Sequence, residues 1–194
     1  MNLANRLTIL RVLLVPIFMW VFLWDFSHHY IAAFSVFVIA ALTDLFDGKV
    51  ARSRSEVTNF GKFVDPVADK ILTTAAFIGL LTTEQLNPWA LLIILVREFA
   101  VASVRMLASG GGKVIAANTW GKFKTVAQYV AIICSIAALE FENWQTGWLS
   151  SAALPDTVFT TPLLISQVLL WISAALTLVS GIEYVWSNRE YIKE

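Results

Sequence analysis

Charged residues are scarce in this chain. Asp, Glu, Lys and Arg make up 14% of it, where a soluble domain carries about 25%. The deficit leaves too little polar surface to wet a soluble fold of this size. Hydrophobic residues take the place, 58% of 194, and the mean hydropathy is +0.70. Net charge is also absent, because 14 basic and 14 acidic residues cancel. That removes the electrostatic case for nucleic acid as a partner. A single cysteine, Cys134, excludes an intrachain disulfide, and in an apolar run it reads as a small packing residue. The only histidines are the neighbours His28 and His29. There is no low-complexity segment and no internal repeat. The chain reads as one integral membrane domain, 1–194.

Six apolar stretches are present, at about 7–24, 30–50, 62–83, 89–109, 118–139 and 162–186. Each is close to the roughly 20 residues that a membrane helix needs. Breaker-rich segments separate them: Asp25–His29, Ser53–Asn59, Gln85–Pro88, Ser109–Gly112 and Pro155–Pro162. The start resembles a signal peptide, with Arg6 and Arg11 ahead of an apolar run. Trp20, Trp24 and Phe26, however, stand where small residues should mark a cleavage site, so the segment reads as an uncleaved first span. Residues 1–7 read as a short lead-in at the membrane surface.

The basic residues set the orientation. All 14 Lys and Arg fall in the N-terminus, the 49–62 and 109–122 loops, the C-terminus or the adjoining helix halves. The opposite connections hold Asp25, Glu84, Glu140, Glu142 and Asp156 and no Lys or Arg. The expected fold is therefore all-α, a bundle of six transmembrane helices with both termini cytoplasmic.

Four aspartates stand at the cytoplasmic end of this bundle, in the pattern Asp44-x2-Asp47-Gly48-x2-Ala51-Arg52-x8-Gly61-x3-Asp65-x3-Asp69. Asp44, Asp47, Gly48 and Ala51 follow i, i+3, i+4, i+7, one face of a helix. Gly61, Asp65 and Asp69 follow i, i+4, i+8, again one face. The loop between is short enough for the two stripes to face each other. Carboxylates brought together this way repel and take up protons unless cations neutralise them. Two divalent ions cancel the charge of four, and all-oxygen ligation favours Mg²⁺ or Mn²⁺ over zinc. A metal pair suits phosphoryl or phosphatidyl transfer, where attacking and leaving oxygens both need stabilising. Gly48, Ala51 and Gly61 leave space for a substrate, and Arg52 can fork onto a phosphate. Alone, each glycine reads as a packing or turn residue and Arg52 as an inner-side anchor. Together, eight fixed positions match by chance only about once in 10¹⁰ starts, at residue frequencies near 5%.

This pattern resembles the signature of the CDP-alcohol phosphatidyltransferases at all eight positions. Over nearly its whole length the chain is also similar to one branch of them, the bacterial phosphatidylglycerophosphate synthases. Segments that carry this are Asn5-x-Leu7-Thr8-x-x-Arg11, Phe63–Lys70, Arg97-Glu98-Phe99 with Arg105, Gly121-Lys122-x-Lys124-Thr125, and Ser180–Tyr184. One departure is Ala4, where the branch has proline. The resemblance implies a CDP-diacylglycerol donor with its diphosphate on metals held by Asp44, Asp47, Asp65 and Asp69. It implies a donor pocket of Gly48, Ala51, Gly61, Arg52 and Thr8, the cytidine lying against the small residues. Asp69 is the implied general base, taking the proton of an acceptor hydroxyl that attacks the β-phosphate and expels CMP. It further implies a homodimer in the bacterial cytoplasmic membrane, with the active site facing the cytoplasm.

Arg97 lies mid-span, where a charge costs about 2.5–3.5 kcal/mol even on insertion scales. With Arg105, Lys122 and Lys124 it can form a basic pocket for an anionic acceptor. Glycerol 3-phosphate is such an acceptor, and serine carries no phosphate. The alternative is that Arg97 pairs with a buried acid while the other three anchor helix ends. Glu98 points away from Arg97 and asks for a partner on another helix, which spacing does not name. Other acceptors within the family are inositol phosphate, serine and phosphatidylglycerol. Outside it, a six-span cation transporter would use the acidic cluster as an ion site, but transporters carry repeats and midplane sites that are missing here.

Overall fold

A computed structural model describes residues 3–54, 59–110, 119–146, 149 and 155–189. Among them there are six helices and no strand: α1 Leu3–Leu23, α2 His29–Arg54, α3 Asn59–Thr82, α4 Pro88–Gly110, α5 Thr119–Thr146 and α6 Thr157–Ser187. Two stretches among the described residues, Trp120–Gln145 and Thr157–Ser187, are long and apolar enough to cross a membrane. Leu7–Leu23, His29–Thr43 and Lys70–Thr82 are shorter apolar helical stretches.

The helices form two groups. α1 packs on α2 and α3, α5 packs on α6, and α4 leans chiefly on α6. α2 joins the groups by its contact with α5. Aromatic rings fill the junction, with Phe18 and Phe37 5.9 Å apart and Phe37 and Tyr129 5.7 Å apart. A Cβ at Gly79 would stand 3.0 Å from the Phe22 ring, so glycine there lets α3 approach α1 closely. The core is mainly apolar, but polar side chains are buried within it and large apolar ones face outward. Arg11, Lys124, Gln128, Ser166, Ser173, Thr177 and Ser180 are buried, while Leu13, Trp20, Trp89, Val96, Phe99, Leu164 and Val168 are exposed. α6 carries this furthest: Ser166, Ser173 and Thr177 bond back to carbonyls three or four residues earlier, at 2.6–2.8 Å. Those bonds satisfy hydroxyls without water and leave a narrow helix face for α5.

Three boundaries differ from the apolar stretches. α2 runs on past residue 50 to Arg54, so the aspartate segment is helical, as its spacing required. α5 continues past residue 139 to Thr146. There Glu140 accepts a 2.7 Å hydrogen bond from Trp144 Nε1, and His28 Nδ1 lies 2.7 Å from the same oxygen, which ties α5 to the α1–α2 turn. α6 begins at Thr157, so Pro162 is not the breaker expected from sequence. Pro162 forfeits one backbone bond, the one that its N–H would make to Val158 O, and the helix continues through it. The lead-in is not a separate element, since α1 is continuous from Leu3.

Candidate active site

The site is framed by the C-terminal half of α2 and the N-terminal half of α3. α2 carries positions 44, 47, 48, 51 and 52, and α3 carries 61, 65 and 69, all on unbroken helix. The spacings read from sequence therefore act as helical spacings, and the two helices touch. The side chains of Asp44, Asp47, Gly48, Ala51, Arg52, Gly61, Asp65 and Asp69 lie outside the described part. Among the described residues no three His, Cys, Asp or Glu side chains come together as metal ligands. The donor chemistry of the four aspartates fits hard divalent cations, since it is carboxylate oxygen throughout. Imidazole is out of reach: His29 opens α2, and position 44 lies about 22 Å along the helix axis from it.

α1 contributes an inward face to this end. Thr8 is 1% exposed and Arg11 is fully buried, and the helix that bears them packs on α2 and α3. Sequence spacing left Arg11 without a role. The signal was available in principle, because an arginine inside an apolar run must be buried against something that compensates its charge.

A second cluster lies where α3, α4, α5 and α6 approach one another. Arg97 is 9% exposed and donates from Nη2 to Ser180 Oγ at 2.6 Å. Its Nη1 lies 3.5 Å from Glu98 Oε1. The same Glu98 oxygen accepts a hydrogen bond from buried Lys124 on α5. Lys70 on α3 donates to the Glu98 backbone carbonyl at 3.1 Å and stands 3.9 Å from its carboxylate. Glu98 is thus the partner of three cations from three helices. Arg105 is held separately, with Nε donating to Tyr184 Oη at 3.2 Å and the guanidinium 5.5 Å from the ring centre.

Of the four basic residues read as an acceptor pocket, the structure brings Arg97 and Lys124 together on Glu98 and sets Arg105 along the same α4–α6 seam. Lys122 is not brought to them. It is exposed, because two residues turn an α-helix by about 200°, so that Lys122 and Lys124 fall on opposite sides of α5. Sequence reasoning missed Lys70, Ser180 and Tyr184 as members. The Ser180–Tyr184 segment was noticed only as a resemblance, and it supplies the face that holds both arginines.

Gly181 completes that face. A Cβ there would come within 2.4 Å of Arg97 Cγ, in the stem of the side chain rather than at its free end. Gly181→Val should therefore force Arg97 off Ser180. Overpacking of this kind costs about 1–3 kcal/mol, and the melting temperature in detergent should fall by several degrees. An unchanged melting curve would show that the α4–α6 seam is not close-packed.

A family model described as CDP-alcohol phosphatidyltransferase matches residues 1–179. The chain is 38% identical to the CDP-diacylglycerol–glycerol-3-phosphate 3-phosphatidyltransferase of Bacillus subtilis, with 99% of this chain and 97% of that protein covered. It is 37% identical to a probable phosphatidylglycerophosphate synthase of Mycobacterium tuberculosis, covering 95% and 80%. To the CDP-diacylglycerol–glycerol-3-phosphate 3-phosphatidyltransferase of Pseudomonas fluorescens it is 35% identical, covering 100% and 93%.

Proposed function

This chain belongs to the CDP-alcohol phosphatidyltransferase family, and on that premise we propose that it transfers the phosphatidyl group of CDP-diacylglycerol to glycerol 3-phosphate. The acceptor hydroxyl oxygen bonds to the donor's β-phosphorus. The bond from that phosphorus to the bridging oxygen breaks, and CMP leaves with the bridge. The products are CMP and phosphatidylglycerophosphate.

One observation carries the acceptor assignment: the cation cluster beside the helix of Asp65 and Asp69. Lys70, Arg97 and Lys124 gather on Glu98 from three helices. Such a basic cluster suits an acceptor that carries a phosphate, and serine carries none. Arg97 and Lys124 receive the acceptor phosphate, with Arg105 farther along the seam and Lys122 at the exposed start of α5. Inositol phosphate would satisfy the same charges, and the names of the relatives favour glycerol 3-phosphate.

Asp69 takes the hydroxyl proton. Asp44, Asp47, Asp65 and Asp69 would hold two divalent cations, Mg²⁺ or Mn²⁺, which would supply positive charge for the diphosphate and acidity for the hydroxyl. Gly48, Ala51 and Gly61 leave room for the cytidine, while Arg52 and Thr8 bind on the donor side.

All six helices cross the bilayer, with both termini and the site on the cytoplasmic face of the bacterial membrane. Two features support this: the many large apolar side chains exposed on the outside of the bundle, and the confinement of Lys and Arg to one end of the chain's hairpins. Assembly as a homodimer rests on the family resemblance.

The test is purified protein with CDP-diacylglycerol and Mg²⁺, given glycerol 3-phosphate, inositol phosphate, serine or phosphatidylglycerol separately. CMP release is expected with glycerol 3-phosphate. Turnover only with another acceptor would replace the assignment. Arg105→Ala should raise the KM for glycerol 3-phosphate by roughly 10- to 150-fold, the worth of one charged hydrogen bond. The donor KM should be spared, and the reverse pattern would move Arg105 to the donor side.

A further inference from the structure

We propose that Glu98 is the positioning residue of the acceptor site: it presets the cations that receive the acceptor phosphate and ties them to the helix carrying the catalytic base. The proposal rests on the acceptor reading above.

Three observations support it. First, Glu98 is the shared partner of Lys70, Arg97 and Lys124, which come from α3, α4 and α5. Without a common counter-charge, cations this close repel in a low-dielectric interior and swing apart. Second, Glu98 engages Lys70 twice, through its backbone carbonyl at 3.1 Å and its carboxylate at 3.9 Å. Lys70 directly follows Asp69 in α3. α3 and α4 touch little elsewhere, since α3 leans on α1 and α4 on α6. The Glu98–Lys70 pair is therefore a main tie that sets how far the acceptor cations stand from position 69. Third, Glu98 is placed to act through others. It repels a phosphate itself, so any benefit to acceptor binding must come from holding Lys124 and Arg97 in place.

A carboxylate that only neutralised the cluster would act in the opposite direction, because removing it would strengthen anion binding. The two roles therefore differ in sign. Glu98→Gln in the purified full-length enzyme should raise the KM for glycerol 3-phosphate roughly 10- to 100-fold, the range for a lost charge-assisted hydrogen bond. The KM for CDP-diacylglycerol should be unchanged. Glu98→Asp, which keeps the charge, should recover part of the loss. An acceptor KM that stays the same or falls in Glu98→Gln overturns the proposal, and so does equal damage in the Gln and Asp variants. Should only the Asp variant fold, a raised acceptor KM with an unchanged donor KM supports the role, and an unchanged acceptor KM overturns it.

Lys124→Met separates this inference from the reading beneath it. If Lys124→Met leaves the acceptor KM alone, the acceptor pocket itself is misplaced. If Lys124→Met raises the acceptor KM and Glu98→Gln does not, the pocket stands and Glu98 has no positioning role. The double variant should be little worse than Lys124→Met alone, because residues acting through one another are not additive.

Discussion

Asp69→Asn is expected to lower turnover by about 10²–10⁴-fold, the usual contribution of a positioned general base. The choice of position 69 follows from α3 being one continuous helix through Asp65, Asp69 and Lys70. At 100° per residue, position 69 lies about 40° around the helix from 65 and about 100° from 70. It therefore stands between the aspartate stripe and the direction in which Lys70 reaches Glu98. A base located there can serve a hydroxyl whose phosphate rests on the Glu98-held cations. Asparagine preserves size and most hydrogen bonding but cannot take the proton. Binding of CDP-diacylglycerol should change far less than turnover. A kcat within a few-fold of the parent would remove Asp69 from the base role and leave it a ligand at most.

Chelation of divalent cations by EDTA is expected to abolish turnover, with Mg²⁺ or Mn²⁺ restoring it. The reason is charge: carboxylates brought together are unfavourable until cations neutralise them. The same reasoning gives a readout independent of activity. A cation that binds the folded state at 100 times its Kd adds about 2.7 kcal/mol of stability, so added Mg²⁺ should raise the melting temperature of the detergent-solubilised protein. In Asp44→Ala and Asp65→Ala that increment should shrink, and higher metal concentrations should be needed for activity. Full activity after exhaustive chelation would refute the two-cation scheme.

Much of the architecture was legible along the chain, because it depends on local patterns. Apolar runs of membrane length announced six helices, and six are present among the described residues. The intervals 44-47-48-51 and 61-65-69 needed only a helical backbone to become faces, and α2 and α3 supply it. Two boundary errors have local causes. Pro162 was read as a breaker, yet near the start of a long helix a proline forfeits only one bond. The apolar run of α5 stops at Leu139, but the helix does not, because Glu140 finds partners in His28 and Trp144.

The tertiary structure decided which cations meet. Helical periodicity turns Glu98 and Arg97 apart on α4, yet their long side chains still meet at 3.5 Å; it also says that Glu98 requires a partner elsewhere. It does not say which helix stands opposite, since that depends on packing between segments far apart in the chain. Lys124 lies 26 residues from Glu98 and Ser180 lies 83 from Arg97. Neither pairing leaves a trace in local spacing. Lys122 and Lys124 look equivalent in sequence, but α5 turns one outward and buries the other. The charge of a membrane site was thus written in composition and spacing, which act within one helix. Its geometry waited on the contacts of α4 with α3, α5 and α6, where the cost of burying a lone charge selects the arrangement that gives each cation an oxygen partner.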